Sequence, residues 1–61
     1  ASLVAEEKID IGEVLTSKNV WAKRPNTGIS VSKYNEIISN YYADVVIEKN
    51  EQITFSKIKK L

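Results

Sequence analysis

Apolar residues in this chain come in short clusters rather than long periodic runs. Leu3–Ala5, Val14–Leu15, Val20–Lys23, Val45–Ile47 and Gln52–Phe55 are each only a few residues long and rich in branched or aromatic side chains. Polar stretches separate them, the pattern of short strands joined by turns. Between Ser30 and Asn40 the spacing changes. Val31, Tyr34, Ile37 and Ile38 recur at helical intervals, which predicts one short helix with these four as its buried stripe. Ser30 is placed to cap its start and Asn40 to end it, since Asn tolerates the left-handed backbone at helix ends. Before the helix, Pro25 and Gly28 punctuate a loop from Arg24 to Gly28.

The hydrophobic pattern also repeats. Shifting the chain by 38 residues superposes Ala5, Ile9, Glu13 and Thr16 on Ala43, Ile47, Glu51 and Thr54, all identical. Gly12 falls on Asn50, Leu15 on Ile53 and Val20 on Ile58. Gly and Asn reach positive φ most easily, so Gly12 and Asn50 mark matching tight turns. Thr16 and Thr54 fit caps that open a single helical or 3₁₀ turn, whose last apolar residue, Val20 or Ile58, is pinned to the core. Neither half carries enough apolar surface to bury alone, which predicts packing about a pseudo-twofold axis. The expected fold class is mainly β, with short strands, 3₁₀ turns and one short helix in a single domain over residues 1–61.

Length and composition restrict the chemistry. At 61 residues without Cys or His, the chain has no disulfide, no thiolate or imidazole metal ligand, and no Ser-His or Cys-His nucleophile. A reducing, cytoplasmic setting is the simplest expectation for a Cys-free chain with no signal peptide or membrane-spanning run. Glu6, Glu7, Asp10 and Glu13 crowd one polar stretch; they read as a solvated face rather than an acid/base pair. The net charge is only +1, yet Val14 to Asn35 holds Lys18, Lys23, Arg24 and Lys33 and no acid. Arg24 is the sole Arg, and a guanidinium grips a carboxylate or phosphate bidentately. Trp21, Tyr41 and Tyr42 read as core or interface residues before stacking platforms. Lys57, Lys59 and Lys60 read as a solvated terminal face. Basic residues interleaved with aromatics in one stripe are absent, which argues against nucleic acid.

Three stretches carry a family resemblance: Ser2-Leu3-Val4-Ala5, then Ile9-x-x-Gly12-Glu13-Val14-Leu15-Thr16, then Lys23-Arg24-Pro25-Asn26-Thr27-Gly28-Ile29-Ser30. Together with Ile47 to Ile53 they make the chain resemble the C-terminal antifreeze-like, or SAF, domain of sialic acid synthases. The resemblance implies a pretzel-like β-clip. It also implies attachment to a TIM barrel that condenses phosphoenolpyruvate with an N-acyl sugar. In a swapped homodimer such a domain caps the barrel of the other subunit, and an Arg from the cap contacts the sugar. Arg24 stands in the matching setting, with Pro25, Asn26 and Gly28 shaping its loop. The family's divalent metal is the barrel's, so no cofactor is expected in this domain and no membrane partner. Two positions depart from the family: Asn26, where Gly is usual, and Asp44-Val45-Val46, where Arg-Asp often precedes the Ile.

The reading that follows is an accessory domain with no catalytic group of its own. Free-standing type III antifreeze proteins share the fold and bind ice through a flat, uncharged surface, but Glu7, Lys8, Glu13 and Lys18 occupy the matching region here. A further alternative is a SAF binding module from a sugar-acid dehydratase or from a flagellar or pilus assembly chaperone.

Overall fold

The computed structural model describes residues 1–25 and 27–61. Strand β1 (Ser2–Ala5) pairs antiparallel with β2 (Val20–Lys23), setting Leu3 opposite Ala22 and Ala5 opposite Val20. Strand β3 (Tyr41–Ala43) pairs with β4 (Ile58–Lys60), setting Tyr41 opposite Lys60 and Ala43 opposite Ile58. The second ladder is the first moved along the chain by one repeat, residue for residue.

The halves are then stitched to each other by one register. Ile9 and Ile47, which are repeat mates, exchange backbone hydrogen bonds of 2.8 and 2.9 Å with each other. This pair sits on the pseudo-twofold axis. The bonds that flank it come in twins: Ala5 N to Glu51 O (3.0 Å) with Ala43 N to Glu13 O (2.9 Å), and Ile53 N to Leu3 O with Leu15 N to Tyr41 O, both 3.0 Å. The isolated bridges Val4–Gln52 and Val14–Tyr42 form another such pair. Gly12 and Asn50 have φ of 87° and 70°, so the two turns are left-handed at the positions read from the repeat. The result is a small β-clip.

The core is drawn from both halves: Leu3, Ala5, Ile9, Leu15 and Val20 meet Ala43, Ile47, Ile53 and Ile58, with Ile29 and Ile37 from the connection. Each fully buried Ile, Leu or Val contributes about 1.5–3 kcal/mol, so the domain rests on these few side chains.

Several local expectations change. Val14–Leu15, Val45–Ile47 and Gln52–Phe55 contribute single bridges rather than strands, because the Gly12 and Asn50 turns interrupt the pairing on either side. Tyr41–Ala43 and Ile58–Lys60 are the strands instead. The helical segment is split into a 3₁₀ turn, Val31–Lys33, and α1 (Tyr34–Ile37). Ser30 caps it as read, its hydroxyl accepting from Ser32 N at 3.2 Å. Val31 falls on the outside of the 3₁₀ turn and is exposed, while Ile37 is fully buried. The left-handed residue that ends α1 is Ser39, φ 66°, not Asn40. Asn40 instead folds its side chain back to donate to Glu36 O at 3.1 Å. In the first half Thr16 Oγ1 accepts from Lys18 N at 3.3 Å. Thr54 opens the matching 3₁₀ turn, Phe55–Lys57, without a side-chain cap to the backbone, its hydroxyl being 2.8 Å from that of Ser56.

Candidate functional site

Arg24 follows directly on the last residue of β2, where the ladder to β1 releases the chain, and its side chain is exposed. It makes no ion pair among the described residues. Its guanidinium thus stands toward solvent on an acid-free stretch of chain. The Arg24–Pro25 peptide is cis.

The loop beyond Arg24 is fastened from below by residues of other segments. Both Ser2 Oγ and Gln52 Nε2 donate to the Pro25 carbonyl, the latter at 3.3 Å. Gln52 Oε1 accepts from Thr27 Oγ1 at 2.6 Å, so one amide clamps the loop on both sides of position 26. Gly28 then packs backbone against backbone. A Cβ there would lie 3.0 Å from the Ile53 carbonyl oxygen, tighter than most side-chain carbons approach, and Ile29 N donates to that same oxygen at 3.3 Å. Asn26, named with Pro25 and Gly28 as shaping this loop, lies outside the described residues.

Beside the loop opens a cavity of about 370 Å³, lined by Thr27, Gly28, Ser30, Lys33, Thr54 and Phe55 together with Ile29. Its described lining is mainly apolar, with the Thr27, Ser30 and Thr54 hydroxyls and the Lys33 ammonium among it and no carboxylate. Residues 1–59 match the SAF domain family. This chain belongs to the SAF domain family. No curated protein matches it. A SAF domain is a carbohydrate- or partner-binding module found in several proteins.

Other residues singled out from the sequence sort clearly on the SAF domain's surface. Trp21 is 53% exposed and meets Tyr34 edge-on, ring centres 5.5 Å apart, so it is not a core residue. Tyr41 is half-buried against the core and contacts Phe55 at 6.1 Å, and Tyr42 is half-buried at the Val14 bridge. Glu6, Glu7, Asp10 and Glu13 are all exposed, and Glu13 Oε1 is turned back to accept from Asp10 N at 3.0 Å. Among the described residues no cluster of acids could hold a metal ion, and no helix is long and apolar enough to cross a membrane.

Lys57 is not part of a solvated face. Its ammonium is half-buried, 2.6 Å from Glu51 Oε2 and 2.8 Å from the Gln52 carbonyl. The Lys57 hydrogen bond, with a further one from the Glu48 amide, holds the Glu51 carboxyl below its ordinary value. Lys59 and Lys60 are exposed on β4. Reading the sequence missed Ser2 and Gln52 as supports of the loop. Their signal was a polar residue inside an apolar segment: Ser2 is fully buried in β1, and Gln52 stands where the other half has Val14.

Proposed function

We propose that this SAF domain is the accessory C-terminal part of a sialic acid synthase, or of a related nonulosonic acid synthase. It closes the barrel active site of a partner subunit in a swapped homodimer and presents Arg24 to the N-acyl sugar. Phosphoenolpyruvate, the divalent metal and the bond-forming step belong to the barrel; this domain supplies orientation and the exclusion of water. The observation that carries the reading is Arg24 itself, exposed at the end of a strand, free of any described ion pair, on a loop clamped by Ser2 and Gln52. A charged group presented on so well supported a loop is suited to bind something outside its own domain. The adjacent cavity, with its hydroxyls and Lys33, adds room for a sugar-like ligand.

The test is Arg24→Ala in the full-length protein, with both substrates varied separately. A charge-assisted hydrogen bond is worth about 1.5–3 kcal/mol, so kcat/KM for the sugar should fall by roughly tenfold to 150-fold. Arg24→Lys should recover only part, since an ammonium cannot reproduce the fork. A defect confined to phosphoenolpyruvate, or unchanged activity in an intact dimer, removes Arg24 from the sugar site.

A further inference from the structure

The pseudo-twofold axis relates two rims whose backbones make the same bonds, so each rim is a control for the other. Their surfaces differ. On one rim Ile11, Val45 and Val46 are 67%, 41% and 39% exposed; their repeat mates on the other are Lys49, Glu7 and Lys8, exposed and charged. Leu61, also 67% exposed, stands at the position that Lys23 holds in the first half. A fold that accepts charged side chains at one set of positions does not require hydrophobic ones at the equivalent set. Single exposed hydrophobes are ordinary, but a group of them confined to one of two matching rims is not. The pairings Ile9–Ile47 and Glu13–Ala43 bracket Ile11 on one segment and Val45 and Val46 on the other, which sets the three side by side.

The carboxylates around this rim repeat the contrast. Glu6 faces Lys23 at 3.9 Å and Glu51 bonds Lys57 at 2.6 Å. Their mates on the apolar rim, Asp44 and Glu13, have no ion-pair partner among the described residues. Asp10, beside Ile11, lies 3.9 Å from Lys8, so the acids of the apolar rim left without a countercharge among the described residues are Asp44 and Glu13.

We propose that the Ile11–Val45–Val46 rim is a docking surface for a protein whose contact region is apolar at its centre and carries Lys or Arg at its edge. Such complementarity sets orientation and partner choice, while the buried apolar centre provides most of the affinity. The surface is separate from the Arg24 loop. Lys23, next to Arg24, bonds Asn50 Oδ1 at 2.7 Å, which puts the start of the Arg24 loop against the charged rim.

The symmetry supplies the test. Ile11→Lys, Val45→Glu and Val46→Lys together install the mates' side chains. Because the charged rim already carries them in the same backbone, the midpoint of thermal unfolding should move by less than about 4 °C. The binding probe is a synthetic amphipathic helix of leucine and lysine, compared with one of identical spacing in leucine and glutamate, each titrated against the ¹⁵N-labelled chain. The lysine peptide should shift the amides of Ile11, Asp44, Val45 and Val46, with affinity about tenfold or more weaker in the triple variant; the glutamate peptide should not. Equal response to both peptides, shifts elsewhere on the surface, or a triple variant that is unfolded or strongly destabilised would each overturn the proposal. So would a concentration-dependent dimer of the wild-type chain that the triple variant abolishes, since the occupant would then be a second copy.

Discussion

Asn19 and Lys57 occupy equivalent places in the two halves and close the same turn by different chemistry. Asn19 is almost fully buried. Its amide donates to the Val14 carbonyl at 3.1 Å and, at 3.5 Å, toward Glu13, while its oxygen accepts from Thr16 N at 2.8 Å. Lys57 reaches the equivalent acceptors, the Gln52 carbonyl and the Glu51 carboxylate, but an ammonium has nothing to offer the Thr54 amide. An amide is short enough to be swallowed by the turn. A lysine must keep its charge near water, so its half is more open there and depends on an ion pair. The backbone register dictates that a donor stand at this position; which donor it is decides how the half responds to pH and to solvent.

The strongest challenge to the equivalence of the halves is at the axis. Ile9→Ala and Ile47→Ala each empty a fully buried site and should cost about 2–5 kcal/mol, a large share of the stability of so small a domain. Because the two are mates, their costs should agree to within about 1 kcal/mol; chemical denaturation of both variants would show a wider gap if the halves are unequal at the core. Next in size is the contrast between the plugs. Asn19→Ala strands the Val14 carbonyl and the Thr16 amide and should cost about 2 kcal/mol. Lys57→Ala should cost about 1 kcal/mol or less, since water replaces a part-exposed ion pair. Reversal of that order in denaturation midpoints would mean that the charged plug is the stronger.

The smallest effect is the dependence on pH. The Lys57 hydrogen bond to its ionised form holds the Glu51 carboxyl below its ordinary value. Its contribution is present above the unfolded value and is lost as pH falls through the lower folded one. Glu51→Gln should flatten this part of the acid limb. So should Lys57→Asn, which gives the second half the plug of the first. An acid limb unchanged in both variants would exclude the pair as its source.

The repeat makes most of the architecture legible in the sequence. Identical residues at a fixed offset mark equivalent environments, and Gly12 and Asn50 marked the turns because few other residues accept that backbone. The strands at Tyr41–Ala43 and Ile58–Lys60 were not legible, because neither shows an apolar and polar alternation: β4 is one buried isoleucine followed by two exposed lysines. The end of α1 was misplaced by one residue, since Ser39 adopts the left-handed backbone while Asn40 uses its side chain elsewhere. At the site, Arg24, Pro25 and Gly28 could be read as a loop from their own neighbourhood. Ser2 and Gln52 could not, because they reach Pro25 from 23 and 27 positions away, and local patterning carries no record of such distances. The apolar rim shows up only when the two halves are compared position by position on the folded backbone.

The single register that joins residues 3–14 to residues 42–53 also sets when this chain can fold. β1 pairs with β2 early in the sequence, yet the amide of Ala5 and the carbonyl of Leu3 find their other partners only at Glu51 and Ile53. A nascent chain that has delivered its first forty residues to solution therefore holds an unfinished sheet and an uncovered half-core. Local pairings cannot complete it, and non-local pairing of this kind is expected to slow folding. The first half has an interior only where the second half supplies it.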